Sequence, residues 1–277
     1  MKKRWWILLI LGIFVIYLIS FLAVKGFTSQ IAVVRVTGTI SSSREIVDWV
    51  NMAAQNPQIK GLLLIVNSPG GGIVPSDEIY QSLLKFKKSG KPSVAYLSTV
   101  AASGGYYVAC ASDYIVSHPM CITGSIGTII EYPVVKDLMD KLGVEFVVIK
   151  SGNVKDISSP FKKMTPEEQK ILGNIVKQGY ERFVDVVVNS RNIPRDSVLK
   201  IADGRIITGQ DAHILGLVDT TGTLETAREI LKKRAKIKGP VQWIEKRRMP
   251  YFMRFLNPEE AIERQVGIKF DYRIALP

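Results

Sequence analysis

Ser103 is the residue of this sequence that chemistry would single out first. It lies in TVAASGGYYVAC, residues 99–110, between two alanines and two glycines and directly after an apolar run. Small neighbours leave room for close backbone approach, as acyl transfer to a hydroxyl requires. A turn from strand into helix at this point would bring the hydroxyl against the free N–H groups of the helix N-terminus. Taken alone, A-S-G-G is equally a packing site for small residues. The G-x-S-x-G elbow of the α/β-hydrolases is absent, because Ala101 stands where the first glycine would be.

Acyl transfer also needs donors for the developing oxyanion. Gly104 follows Ser103 directly, and the N–H of the residue after a nucleophile is a usual donor. SPGGG, Ser68 to Gly72, ends another apolar run with bare backbone that a substrate carbonyl can approach. Gly71 is the candidate second donor there, with Gly70 one residue away. By itself this segment also reads as an ordinary turn.

The base is the harder part. The chain has two histidines, His118 in VSHPM and His213 in DAHILG. No acidic residue near His118 would orient it, and His213 sits on an amphipathic helical pattern far from any glycine loop. Lysine is the remaining option. It must lose about three units from its ordinary pKa near 10.4 to act near neutrality, roughly 4 kcal/mol, and desolvation can supply that. Most lysines lie on polar faces or in basic clusters. Lys155 instead lies in SGNVKDISSP, straight after an apolar run, between Val154 and Ile157. Asp156 would raise its pKa, so Asp156 is expected to point away.

These loops need strands and helices to hold them. IAVVRVTGTI, GLLLIVNSPGGG and PSVAYLST read as buried strands, being apolar and β-branched over strand length. SSREIVDWVNMAAQN and PSDEIYQSLLKFKKSG read as the helices between them, the second stopped by Gly90. Continuous apolar strands alternating with helices indicate parallel βαβ units covered on both faces. Further along, YPVVKDLMDKLG predicts a helix and EFVVIKSG a strand. TPEEQKILGNIVKQGYERFVDVVVNSRN predicts a long helix opened by a capping box of Thr165 and Glu168 with Pro166 at its first position. Leu172, Ile175, Gly179, Phe183 and Val187 mark its apolar side. TLETAREILKKRAKI predicts a last helix before a short strand, VQWIE.

At 277 residues, with 47% hydrophobic content, the chain can bury a sizeable core. The apolar residues are unevenly spread. Residues 5–24 carry no charge over about 20 positions, the span of a bilayer's hydrocarbon core, and Lys2, Lys3 and Arg4 precede them. An uncleaved membrane anchor with a cytoplasmic N-terminus is expected, and the rest of the chain outside the cytoplasm. The end of the run offers no A-x-A pattern for a cleaved signal peptide. Cys110 and Cys121 lack CxxC or metal-ligand spacing and read as buried thiols. The net charge of +12 sits largely late, in LKKRAKIKGP and IEKRRMPYFMRF. Anionic lipid headgroups would suit it, as would a merely solvated basic face, and no nucleic-acid motif accompanies it.

NSPGGG, AASGGYY, GSIGT, IKSGNVKDISSPF and DGRIITGQDAHILGLVD occur in the order seen in the signal peptide peptidase A family, which this chain resembles from about residue 30 to about residue 235. The resemblance implies a fold of the ClpP/crotonase type, an α/β spiral of βαβ units behind one transmembrane helix. It implies a serine–lysine dyad, with Ser103 the nucleophile, Lys155 the general base, and Ser125 of GSIG the hydroxyl that holds the lysine. It further implies apolar peptide substrates such as cleaved signal peptides, no cofactor and no metal, and a homo-oligomeric ring in which the lysine serves its own or a neighbouring subunit's serine. The expected organisation is a cytoplasmic end (1–4), an anchor (5–24), a linker (25–30), a peptidase domain (31–245) and a tail (246–277) read as a flexible end. Three other readings share parts of this pattern: an NfeD-type membrane protease, a crotonase-like acyl-CoA enzyme that needs neither Ser103 nor Lys155, and a silent scaffold.

Overall fold

The computed structural model describes residues 13–14 and 29–246. The expected anchor (apart from two helical residues, 13–14), most of the expected linker, and the tail beyond Lys246 lie outside the described residues. Among the described residues no helix is long and apolar enough to cross a membrane. The described residues up to Ile244 belong to one compact unit; of a second, from Glu245 on, only Glu245 and Lys246 are described.

The order of elements is the alternation that the apolar runs predict. Strand β1 (Ser29–Thr37) leads to helix α1 (Arg44–Gln55), β2 (Ile59–Ser68), α2 (Ile73–Lys88) and β3 (Ser93–Ala102). A short helix, α3 (Gly104–Ala109), then precedes β4 (Tyr114–Ser117) and β5 (Ile122–Gly124). After α4 (Lys136–Leu142) come the long α5 (Pro166–Arg191) and the short α6 (Arg195–Leu199). The described chain closes with β6 (Ile206–Thr208), α7 (Gly209–Ile214), β7 (Thr220–Thr221), α8 (Leu224–Arg234) and β8 (Val241–Glu245).

The sheet runs β6-β5-β3-β2-β1-β8, with β4 and β7 branching from β3. Strand β3 makes the branch possible by pairing with two strands in turn. Val94 to Leu97 run parallel to β4, and Val100 to Ala102 run parallel to β5. Only β5 against β6 is antiparallel among the registers described. Successive side chains of a strand point to opposite faces, and both faces of β1 are buried. Ala32, Val34 and Val36 enter a large core with α1, α2, α3 and α5, while Ile31 and Val33 enter a smaller one with Ala227 and Leu231 of α8. Burial on both sides explains why the strands read as unbroken apolar runs.

Two expectations need correction. EFVVIKSG forms no strand; residues 144–150 are irregular, and Val147 and Ile149 are 77% and 97% exposed. Their β-branched composition favours a strand, but among the described residues no neighbouring strand takes their backbone hydrogen bonds, and propensity alone cannot hold one. The apolar side of α5 is buried only in its second half. Phe183 and Val187 are in the core, whereas Ile175 is exposed. The helix start is as expected: Thr165 accepts from the Glu168 N–H at 3.3 Å, and the Glu168 carboxylate accepts from the Thr165 N–H at 3.0 Å.

Candidate active site

Ser103 sits between the end of β3 and the first residue of α3, the strand-to-helix turn expected of it. Its backbone is at φ 51° and ψ −125°, a left-handed conformation that side chains rarely adopt. Two bonds hold it there. Its N–H donates to the Gly124 carbonyl at 2.9 Å, and its carbonyl accepts from Tyr107 at 2.9 Å, opening the helix. Strain of this kind persists only where the surroundings over-determine it, and it concentrates at functional sites.

The glycine loop after β2 packs directly against this turn. Gly70 is at φ 102°, and a Cβ there would lie 2.7 Å from the Gly104 nitrogen and 2.9 Å from the Ser103 Cβ. The loop is tied to the chain beyond β1 by a parallel bridge. Ile40 donates to the Gly70 carbonyl at 2.9 Å and accepts from the Gly72 N–H at 2.9 Å. In a parallel bridge this leaves the N–H of Gly71 directed away from Ile40. The Gly71 nitrogen is 3.3 Å from where a Gly104 Cβ would stand. Gly104 opens α3, so its N–H has no acceptor within its own helix. The structure therefore brings together Ser103 and the two N–H groups, of Gly71 and Gly104, that the sequence nominates as oxyanion donors.

Ser125 arrives through β5. Ala102 pairs with Gly124, so Ser125 follows the residue that receives the Ser103 N–H. It too is left-handed, at φ 50°, with its N–H donated to the Arg205 carbonyl at 2.8 Å.

Lys155 makes no hydrogen bond to this cluster among the described residues. It is exposed, within a series of turns over residues 151–158, and its N–H donates to the Gly152 carbonyl at 3.1 Å. Among the described residues no hydrogen bond joins its ammonium to Ser103 or Ser125. Its neighbour Asp156 is engaged elsewhere, 2.6 Å from Lys150 and 3.0 Å from Lys162. Those two ammonium groups hold the Asp156 carboxyl down to about 2. Lys162 also bonds the buried Glu168, first of all, and both carboxylates raise its pKa. Lys150 and Lys162 are thus ion-paired within this loop, and Lys155 carries the amine there with no ion pair among the described residues.

The histidines are occupied locally. His118 Nδ1 accepts from the Met120 N–H at 3.2 Å, and His213 Nδ1 lies 3.4 Å from the Val218 carbonyl oxygen. Cys110 and Cys121 are free and buried, and burial pushes each thiol up to about 11. Among the described residues no group of three His, Cys, Asp or Glu side chains is placed to hold a metal ion.

Three contributors to the site are given no role by the motifs. Ser68, fully buried, donates to the Gly38 carbonyl at 2.6 Å and accepts from the Gly70 N–H at 3.1 Å, clamping the glycine loop. Ser76 of α2 donates to the Gly72 carbonyl at 2.8 Å. Ile40 supplies the bridge through its backbone, which no side-chain pattern announces.

Residues 85–238 match the family model described as peptidase family S49. The chain belongs to peptidase family S49. It is 44% identical to an Enterococcus faecium protein provisionally named signal peptide peptidase SppA, over 66% of this chain and 53% of that one. A protein of Synechocystis provisionally named a protease is 42% identical over 72% of each chain. Another, from Methanocaldococcus jannaschii, is 38% identical over 72% of this chain and 63% of its own. This S49 chain spans between half and three quarters of the length of those relatives.

Proposed function

We propose that this chain is a membrane-anchored serine endopeptidase, working by a serine–lysine dyad on remnant signal peptides and other apolar membrane-derived peptides. The observation that carries the reading is Ser103, held in a left-handed turn beside the Gly71 and Gly104 N–H groups in a chain of family S49. The Ser103 hydroxyl attacks the peptide carbonyl as its proton passes to the neutral amine of Lys155. The two N–H groups receive the oxyanion. Lys155, now an ammonium, delivers the proton to the leaving amine, and an ester to Ser103 remains. Water then attacks that ester with Lys155 again taking the proton, which releases the acid and restores the hydroxyl. Ser125, one strand from Ser103, orients the lysine.

The substrate class follows the name of the Enterococcus relative and the apolar run 5–24. That run is read as a single-pass anchor with the N-terminus in the cytoplasm and the catalytic domain outside it. The mostly parallel sheet and its branch at β3 are consistent with a ClpP/crotonase-like spiral. A homo-oligomeric ring accounts for two further observations. Lys155 makes no bond to Ser103 within one chain, and Val147, Ile149 and Ile175 offer apolar surface that a second copy would cover.

A fluorophosphonate probe tests the chemistry. Labelling lost in Ser103→Ala, with peptide hydrolysis lost in Lys155→Ala, supports the dyad. No labelling of the intact chain would sink it.

A further inference from the structure

The parallel strands give the domain two distinct ends. Gln30 pairs with Ile59, Leu62 with Ser93 and Val94 with Tyr114, so β1 to β4 all begin at one end. Ser103 and the glycine loop lie off the opposite end of β3 and β2. Strand β3 has 10 residues, which places the two ends roughly 30 Å apart.

The end where the strands begin is basic. Helix α2 finishes there with Lys87 and Lys88; Lys87 reaches Asp113, just before β4, at 3.0 Å. Helix α8 finishes there too, because the Arg234 guanidinium lies 4.7 Å over the ring of Tyr114, the first residue of β4. Lys60 is the second residue of β2, and its charge joins burial in lowering the pKa of Lys91. Cations in a last helical turn complement the helix dipole, which would explain Lys88 or Lys233 without any partner. It does not explain Lys60, Lys236 and Lys238, which stand outside helices, are exposed, and add charge to the same end. The carboxylate of Asp113 is already bonded to Ser93 and Lys87.

The same end is where the chain arrives from the apolar run. That run stops at Val24 and β1 starts at Ser29. Five residues reach at most about 18 Å. With residues 5–24 in a bilayer, the basic end is held within reach of the headgroups, and charges of opposite sign attract over a Debye length of about 8–10 Å. The geometry points to this end as a docking surface for an anionic phospholipid bilayer, which holds the catalytic end away from the lipid. The inference rests on the anchor reading above and extends it: a peptide must leave the membrane by several nanometres' equivalent of chain before Ser103 meets it.

The test uses the full chain in vesicles of phosphatidylcholine alone, or with about a third phosphatidylglycerol, in which anionic headgroups are the only difference. An environment-sensitive dye is attached at Lys236→Cys, or at Met120→Cys beyond β4 on the other end, the native cysteines being buried. Quenching by a headgroup-attached quencher is then measured. At low salt the dye at position 236 is expected to be quenched at least threefold more in the anionic vesicles. The gain should vanish in half-molar salt and fall by half or more in Lys233→Glu/Lys238→Glu. The dye at position 120 should be quenched in neither. Equal quenching at 236 in both compositions, a salt-insensitive gain, or stronger quenching at 120 overturns the docking surface. A chain that enters neither kind of vesicle removes the anchor and this inference with it. Fluorophosphonate labelling, scored on the same samples, reports separately on the peptidase reading.

Discussion

Ser103 and Ser125 share a positive φ across a strand boundary. Both are left-handed, at φ 51° and φ 50°, and the Ser103 N–H donates at 2.9 Å to the carbonyl of Gly124, the residue before Ser125. Neither is a glycine, so each keeps a hydroxyl where the backbone would favour none. The two hydroxyls are delivered by main-chain geometry, from the ends of β3 and β5.

The first consequence concerns stability. Ser103→Ala keeps the left-handed strain, whereas Ser103→Gly removes it. Strain of 1–3 kcal/mol, less the extra chain entropy of glycine, leaves the glycine variant about 1 kcal/mol more stable than the alanine variant. Both should be unlabelled by a fluorophosphonate. Urea unfolding of the two variants side by side checks the difference; equal midpoints would deny the strain.

Gly70→Ala should damage the site without touching a reacting atom. Its Cβ would stand 2.7 Å from the Gly104 nitrogen and 2.9 Å from the Ser103 Cβ, and φ 102° is itself unfavourable to alanine. Displacing one oxyanion donor typically costs 10²–10³ in rate. The labelling rate is expected to fall by about that much while circular dichroism remains that of the wild type. A labelling rate within a factor of three of the wild type would separate Gly70 from the donor pair.

Acid should loosen the loop that carries Lys155. Lys150 and Lys162 hold the Asp156 carboxyl down to about 2, and Lys162, with the Thr165 N–H, lowers that of Glu168. A carboxyl lowered on folding stabilises above its unfolded pKa, near 4, and loses that contribution as pH falls through the folded value. Wild type should therefore exceed Asp156→Asn/Glu168→Gln in stability at pH 7. The gap should narrow from about pH 4 downward and close near pH 2. Denaturant midpoints across that range measure it, and a gap independent of pH would exclude the charge network as its source.

Mixing inactive variants asks where the base comes from. Ser103→Ala and Lys155→Ala chains, each inert, are co-refolded in equal amounts. If the lysine serves a neighbour's serine, random assembly of a ring gives intact sites at about a quarter of the junctions, and hydrolysis returns to about that fraction. If it serves its own chain, no activity returns.

Much of this arrangement was legible because the chemistry sits at the ends of apolar runs. The strand before Ser103, the helix after it and the glycine loop all follow from local pattern, as does the Thr165 capping box. What escaped depends on partners distant in sequence. Ser68 looks like any turn serine until the carbonyl of Gly38, thirty residues earlier, accepts its hydrogen bond. The left-handed turn at Ser125 rests on Arg205, eighty residues later. Residues 144–150 misled for the opposite reason: Val147, Val148 and Ile149 carry strand composition with no strand beside them.

The bridge between Ile40 and the glycine loop bears on how such a chain can diversify. A side chain at Gly71 would run into the Ile40 backbone, and one at Gly70 into Ser103 and Gly104. The loop is locked by main chain on both flanks and can record almost no change of preference. Any divergence in which peptides are accepted must therefore be written outside this loop. Invariance of the machinery and freedom of its clientele would then occupy different stretches of one chain.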